Sequence, residues 1–292
     1  MIRINFVAFV STSIVKIPCY LLVVIFLFCA KNAFSQDSIS AINIGYSIKI
    51  KSNVLNEDRT IFVYLPDNYK ENQKSFHVLY LLDAETNFKN TCGVVDILTS
   101  VENMARSSFI PEMIVIGIPN IDRMRDLTPT HDRKFDIGGG GDNFLKFLGE
   151  ELIPFVDKNY RTEPFRILEG HSIGGMFAMY TFISDTSLFD AYIVVSPSMY
   201  WDEQIMLSKI TDFFKTNPSL QKQLYITLAN EPAFMFVNET IDIFKKEAPA
   251  GLRWEFKKDT TETHEIAPLR STYEGLRYIY SKSSLQMNPK KK

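Results

Sequence analysis

Eight residues in the middle of the chain, Leu168-Glu169-Gly170-His171-Ser172-Ile173-Gly174-Gly175, restrict its fold more than any other stretch. An apolar, β-like run from Phe165 to Leu168 leads in, and a helix-like run from Ile173 to Ile183 leads out. Gly-x-Ser-x-Gly at such a junction predicts a strand, a sharp turn with Ser172 at its apex, and a helix. Gly170 and Gly174 carry no Cβ, so strand end and helix start can close up while the serine holds a strained backbone angle. The turn lifts the Ser172 hydroxyl clear of the sheet. It also aims the Ile173 N–H, at a helix N-terminus, at the point where an oxyanion would form. The plain structural alternative is a Gly-rich turn whose serine only caps the helix.

Residues 1–35 read as a leader rather than as fold. Arg3 and Lys16 precede an unbroken apolar run from Cys19 to Ala30, and Ala33-Phe34-Ser35 offers small residues where a signal peptidase cuts. The run is twelve residues long, whereas a bilayer span needs about 20. A cleaved secretory signal is expected, with a single domain over 36–292 and export to the periplasm or the medium. An uncleaved N-terminal anchor is the second arrangement, because Phe6 to Val10 is also apolar. Cleavage removes Cys19 and Cys29 and leaves Cys92 alone, so no intramolecular disulfide can form. An exported chain without one must rest on its core, and its length allows one large core. Full-length Lys plus Arg is 32 against 34 acids, and loss of the leader makes the balance more acidic. No basic stripe appears beyond Lys290-Lys291-Lys292, which excludes nucleic acid as a natural partner class.

Along the remaining chain, alternation from Ile42 to Lys51 and the run Thr60 to Leu65 predict antiparallel edge strands. Phe76 to Leu82 and Met113 to Ile118 are apolar enough for strands covered on both faces. Further strands are expected over Ala191–Val195, Gln223–Leu228 and Leu252–Lys257. Helices are expected around Val94–Met104, Asn143–Tyr160, Glu203–Phe214, Phe234–Lys246 and Pro268–Ser281. Asp83 to Phe88 reads as a loop, and Ile121 to Gly141 as a long one. Alternating strand and helix from residue 76 implies a mostly parallel central sheet, antiparallel at its N-terminal edge, with helices on both faces. In such sheets chemistry gathers at the carboxyl ends of the strands.

Ser172 needs a base, and the base needs an acid to fix its tautomer. His264 is the one histidine after Ser172, and it lies between the last strand and the last helix. Glu231 follows the strand ending at Leu228 and is the preferred acid, with Asp259 as the alternative. His171 is expected to pack beneath the turn and point away, since neighbours on a tight turn diverge. His77 reads as a satisfied strand residue and His131 as a surface or substrate residue. A second oxyanion donor is expected from the backbone N–H of Ala84 or Glu85, partnering Ile173. Tyr200 and Trp201 could line a substrate pocket. Phe88 and Met199 suit a pocket or the core equally. Arg123 and Arg125 could meet an anionic substrate or pair with Asp122, Asp126 or Asp132. Nothing in this set requires a metal or an organic cofactor.

Five stretches carry a family resemblance: Val78-Leu79-Tyr80-Leu81-Leu82-Asp83, Arg125-Asp126-Leu127-Thr128-Pro129, Phe144 through Pro154, Gly170 through Gly175, and Ser196-Pro197-Ser198. In their order they resemble the putative-esterase (esterase D-like) branch of the α/β-hydrolase superfamily, and the Arg-Asp-x-Thr-Pro loop is most similar to its siderophore trilactone esterases. The resemblance implies an α/β-hydrolase fold. It also implies Ser172 as nucleophile, His264 as base and Glu231 as acid, acting on a small-molecule ester such as a siderophore trilactone or an acyl or feruloyl sugar. Ala84, Ala229-Asn230 and Thr263 depart from positions where the family favours glycine. An acyltransferase with the same three residues, or a silent binding protein on the same fold, are the rival classes.

Overall fold

The computed structural model describes residues 41–100 and 110–281. The expected leader lies outside the described residues, as do the end of the helix expected to reach Met104 and the lysine tail.

Eight strands form one sheet in the order β1-β2-β4-β3-β7-β8-β9-β10. They are β1 (Tyr46–Ser52), β2 (Glu57–Tyr64), β3 (Phe76–Leu82), β4 (Met113–Ile118), β7 (Thr162–His171), β8 (Ala191–Val195), β9 (Gln223–Leu228) and β10 (Arg253–Lys258). A separate ribbon pairs β5 (His131–Asp132) with β6 (Ile137–Gly138). β1 and β2 are antiparallel, with Ile48 opposite Ile61, and β2 runs antiparallel to β4. From β4 to β10 every pairing is parallel. This is the α/β-hydrolase arrangement, an antiparallel edge on a parallel sheet.

Every residue of β4 and of β8 is buried, which only helices on both faces can bring about. Side chains divide by the two-residue period of a strand. Val78, Tyr80 and Leu82 of β3 join one core with Phe144, Phe177 and Phe244; Leu79 and Leu81 join the other with Val95, Leu98 and Leu276. The second core lies under α1 (Ala84–Ser100) and α8 (Ala267–Ile279), and the first under α3 (Gly141–Phe147), α4 (Ile153–Asn159), α5 (Ile173–Ser184), α6 (Trp201–Thr216) and α7 (Val237–Glu247).

Three stretches differ from their sequence patterns for local reasons. The helix expected over Asn143–Tyr160 opens into a π turn, Leu148–Leu152, between α3 and α4. Pro154, near the start of α4, has no N–H to give the preceding turn, and a π turn is one way to absorb that loss. Of the expected loop Asp83–Phe88, all but Asp83 is instead the first part of α1. The expected long loop holds α2 (Arg123–Leu127), capped by the Asp122 carboxylate, which accepts from the Arg125 N–H at 3.0 Å, and then the ribbon. A five-residue helix and two-residue strands are too short to show a period.

The Arg-Asp-x-Thr-Pro loop is built around charge. Arg59 of β2 is 0% exposed, and its Nη1 lies 2.8 Å from both Glu57 Oε1 and Asp126 Oδ2. Arg125 reaches the same two acids, at 2.7 Å each. Thr128 donates its hydroxyl to the Met124 carbonyl and accepts from the Gly139 N–H. A buried pair strongly destabilises a fold once one partner goes, because the other charge is stranded. Asp126→Ala is therefore expected to lower unfolding free energy by about 3 kcal/mol in urea titration; a change within about 0.5 kcal/mol, the range of an ordinary surface substitution, would contradict this role.

Candidate active site

The strands β3, β7 and β8 lie side by side, and the residue after each takes a left-handed backbone: Asp83 (φ 53°), Ser172 (φ 59°) and Ser196 (φ 44°). Strain of this kind persists only where the surroundings hold it. At Ser172 they do. Its N–H donates to the Val195 carbonyl at 2.9 Å, and its own carbonyl accepts from Met176 at 2.9 Å and Ser198 at 3.1 Å. A Cβ on Gly170 would sit 2.1 Å from the Gly174 carbonyl oxygen, and one on Gly175 2.8 Å from that of Val195. The close approach read from the two outer glycines therefore depends on Gly175 as well.

Ser172, Glu231 and His264 follow three different strands. The Ser172 and Ser198 hydroxyls are hydrogen-bonded at 3.1 Å. Glu231 follows β9 and His264 follows β10, and the Asn230 N–H donates to the Glu262 carbonyl at 2.9 Å, tying the two loops together. His264 Nδ1 lies 2.9 Å from Glu231 Oε1. Asp259, the alternative acid, turns instead to Arg270, at 2.6 Å, and to Thr261. The His264 ring rests on that of His171, centroids 4.4 Å apart, which brings it to the residue beside the serine. His171, expected to pack beneath the turn, has the loop that carries His264 folded against its ring.

The Glu231 side chain is 4% exposed. Burial pushes its carboxyl up, but the His264 hydrogen bond, the Ser196 hydroxyl and the two imidazoles outweigh burial and hold it below the usual value. Among the described residues its Oε2 is buried with no hydrogen-bond partner, and the Ser196 hydroxyl that helps to lower it also accepts the Ala229 N–H at 3.1 Å. Burial, followed by the charge on His264, lowers His171 to about 4.

Ile173 opens α5 and Ala84 and Glu85 open α1, where amides have no carbonyl of their own helix to reach. That first turn of α1 is clasped. Arg123 grips Asp83 through Nε at 2.7 Å and Nη2 at 2.8 Å, and its Nη2 also reaches the His171 carbonyl at 3.2 Å. Asn120 donates to Asp83 at 2.6 Å and to Glu85 at 2.7 Å. Asp83 closes one of the stretches that carry the family resemblance, whereas Asn120 carries no motif and is marked only by its place just past a buried strand.

The expected substrate residues separate. Tyr200 is 39% exposed and meets Phe234, 58% exposed, edge to face at 5.8 Å. Phe234 was read only as a helix residue. Trp201 is 3% exposed and donates its indole N–H to the Thr130 carbonyl at 3.0 Å, so it braces the ribbon. Asp202, Glu203 and Gln204 behind it are left-handed, and regular helix begins only after them. Arg125 is committed to Glu57 and Asp126, and Arg123, not Arg125, reaches the serine turn. Phe88 and Met199 are core residues. His77 bonds the Tyr280 hydroxyl at 2.7 Å, and His131 pairs with Asp136 at the surface.

A family profile described as "Putative esterase" matches residues 52–235. The chain is 30% identical over 193 residues to the ferri-bacillibactin esterase BesA of Bacillus subtilis (strain 168), which covers 60% of this chain and 66% of that protein. It is 32% identical over 166 residues to a siderophore enterobactin esterase of Emericella nidulans, covering 48% of this chain and 52% of that protein. The chain thus spans between half and two thirds of the length of these relatives. An IroE-like serine hydrolase from Shewanella oneidensis superposes with a TM-score of 0.75 at 30% identity, over 81% of this chain and 80% of that one.

One buried acid near the turn titrates against the fold. Glu169 of β7 accepts from the Thr272 hydroxyl of α8, while its Oε2 has no partner. Burial raises its pKa from 4.5 to about 7, and the Thr272 bond offsets this only in part. Below the unfolded value both states hold the proton and nothing is lost. As pH rises through the folded value, ionisation favours the unfolded chain, by up to about 3 kcal/mol. Glu169→Gln should therefore raise the thermal midpoint relative to wild type more at pH 8.5 than at pH 5; an equal difference at both pH values would contradict the shift.

Proposed function

The chain belongs to the putative-esterase family, and from that premise we propose that it is a serine hydrolase of carboxylic esters working through an acyl-enzyme on Ser172. The observation that carries this reading is the 2.9 Å contact of His264 Nδ1 with Glu231, on a ring lying beside the serine turn. A histidine held at Nδ1 by a carboxylate presents Nε2 as a base, which a serine hydroxyl needs to attack at neutral pH.

In this mechanism Ser172 Oγ attacks the ester carbonyl as His264 Nε2 takes its proton. Glu231 stabilises the imidazolium. The amides of Ile173 and of Ala84 or Glu85 receive the oxyanion, and the Asp83–Arg123–Asn120 clasp keeps the second donor in place. His264 then protonates the departing alcohol. Water, deprotonated by the same imidazole, attacks the acyl-enzyme and restores Ser172.

The substrate proposed is a small ester with aromatic groups, a siderophore trilactone first and a feruloyl or acyl sugar second. Tyr200 lies two residues beyond Ser198, whose hydroxyl bonds that of Ser172, and Phe234 three beyond Glu231, so an exposed aromatic pair stands close in the chain to residues of the site and suits stacking of a flat ring. The names of the two curated relatives support the first choice. The apolar leader supports export, with an uncleaved anchor as the second arrangement; among the described residues no helix is long and apolar enough to cross a membrane.

A panel of p-nitrophenyl esters, feruloyl and acetyl sugars and ferric trilactone siderophores, run on wild type and Ser172→Ala, tests the reading. Wild type should turn over at least one class, and the variant should lose about a thousandfold or more in kcat. Comparable turnover by both proteins would overturn it. Acyl transfer to an added acceptor alcohol in preference to water would assign a transferase instead. Phe234→Ala should raise KM for aromatic esters about tenfold or more while acetyl esters change little; equal effects on both would remove the aromatic pair from the substrate site.

A further inference from the structure

Glu169 and His171 stand two apart on β7 and so share one face of the strand. Both touch the segment that carries His264. Glu169 accepts from Thr272, and the His171 ring meets the His264 ring at 4.4 Å, planes inclined by 44°. Among the described residues, Nε2 of His171 is buried without a hydrogen-bond partner. Such a nitrogen costs stability that a leucine or phenylalanine there would not. Packing alone does not account for the imidazole.

Glu231 grips His264 at a single atom. One hydrogen bond leaves a ring free to swing about it. The loop backbone is tied down at Glu262 and Thr263, but Thr260, Thr261, Thr263, Glu265 and Ile266 are all exposed and the His264 side chain keeps 31% of its surface open. A contact on the ring's face would fix its plane. We propose that His171 is a positioning residue for His264, its ring the shelf that sets the plane of the base so that Nε2 can be aimed at Ser172; this rests on the hydrolase reading above.

His171 is suited to the task because it is itself held. It ends a central strand, and its carbonyl accepts from Arg123, which is locked on Asp83. The charged groups acting on it are His264, Asp83, Arg123 and Glu231, and with burial they leave it neutral at pH 7. The imidazolium formed on His264 during the reaction thus meets a neutral ring face rather than a second cation.

The test compares His171→Leu with His171→Phe, which keeps a flat ring. The leucine variant should lose about tenfold to a hundredfold in kcat with KM within about threefold, and phenylalanine should recover most of that loss. Leucine at wild-type kcat, or both variants folded and equally impaired, would overturn the proposal. Wild type provides a check independent of any variant's folding: nuclear Overhauser contacts between the two rings are expected, and their absence would overturn it too. A wild type that hydrolyses no ester defeats the hydrolase reading instead, while ring contacts seen in that protein leave the shelf geometry standing.

Discussion

The structure depends on one steric constraint, the close approach of the end of β7 to the start of α5. A single Cβ at Gly170 would overlap the Gly174 carbonyl. With that approach allowed, Ser172 can occupy φ 59° and stand above the sheet, its backbone tied to Val195 and Ser198 of the neighbouring crossover. Without it, the serine and the helix start would part. The cost of the strained serine, of order 1–3 kcal/mol, is offset by packing on both faces of β7 and β8.

That turn also organises what lies around it. On one side, Asp83 and Arg123 secure the first turn of α1 and the His171 carbonyl. On the other, Ser196-Pro197-Ser198 places one hydroxyl against that of Ser172 and another beneath the Ala229 N–H, two residues before Glu231. Three adjacent strand ends in left-handed conformation thus feed one small volume. The buried Arg59 network stands farther off and has a different task, fastening the α2 loop to the antiparallel edge.

Much of this was legible in the chain, for physical reasons. Strands such as Met113–Ile118 and Ala191–Val195 are covered on both faces, and unbroken apolar runs announce that. Ser172, Glu231 and His264 each follow a strand, a position readable from the alternation of elements, and the structure pairs His264 with Glu231. Elements held by capping and ion pairs were hidden: α2, the small ribbon and the early start of α1 have no period to detect. Trp201 was misjudged because a tryptophan at a strand–helix junction looks the same whether it faces substrate or, as here, bonds Thr130. The His171–His264 contact was missed because it depends on where a loop ninety residues on folds back, which turn geometry alone does not reveal.

The central claim is that His264 activates Ser172, and covalent labelling probes it most directly. Wild type and His264→Gln would each be treated with a fluorophosphonate and the adduct located by peptide mass spectrometry. Wild type should carry one stoichiometric adduct on the peptide containing Ser172, and the variant should label slower by orders of magnitude. An adduct on another residue, or equal labelling of Ser172 in both proteins, would contradict the account.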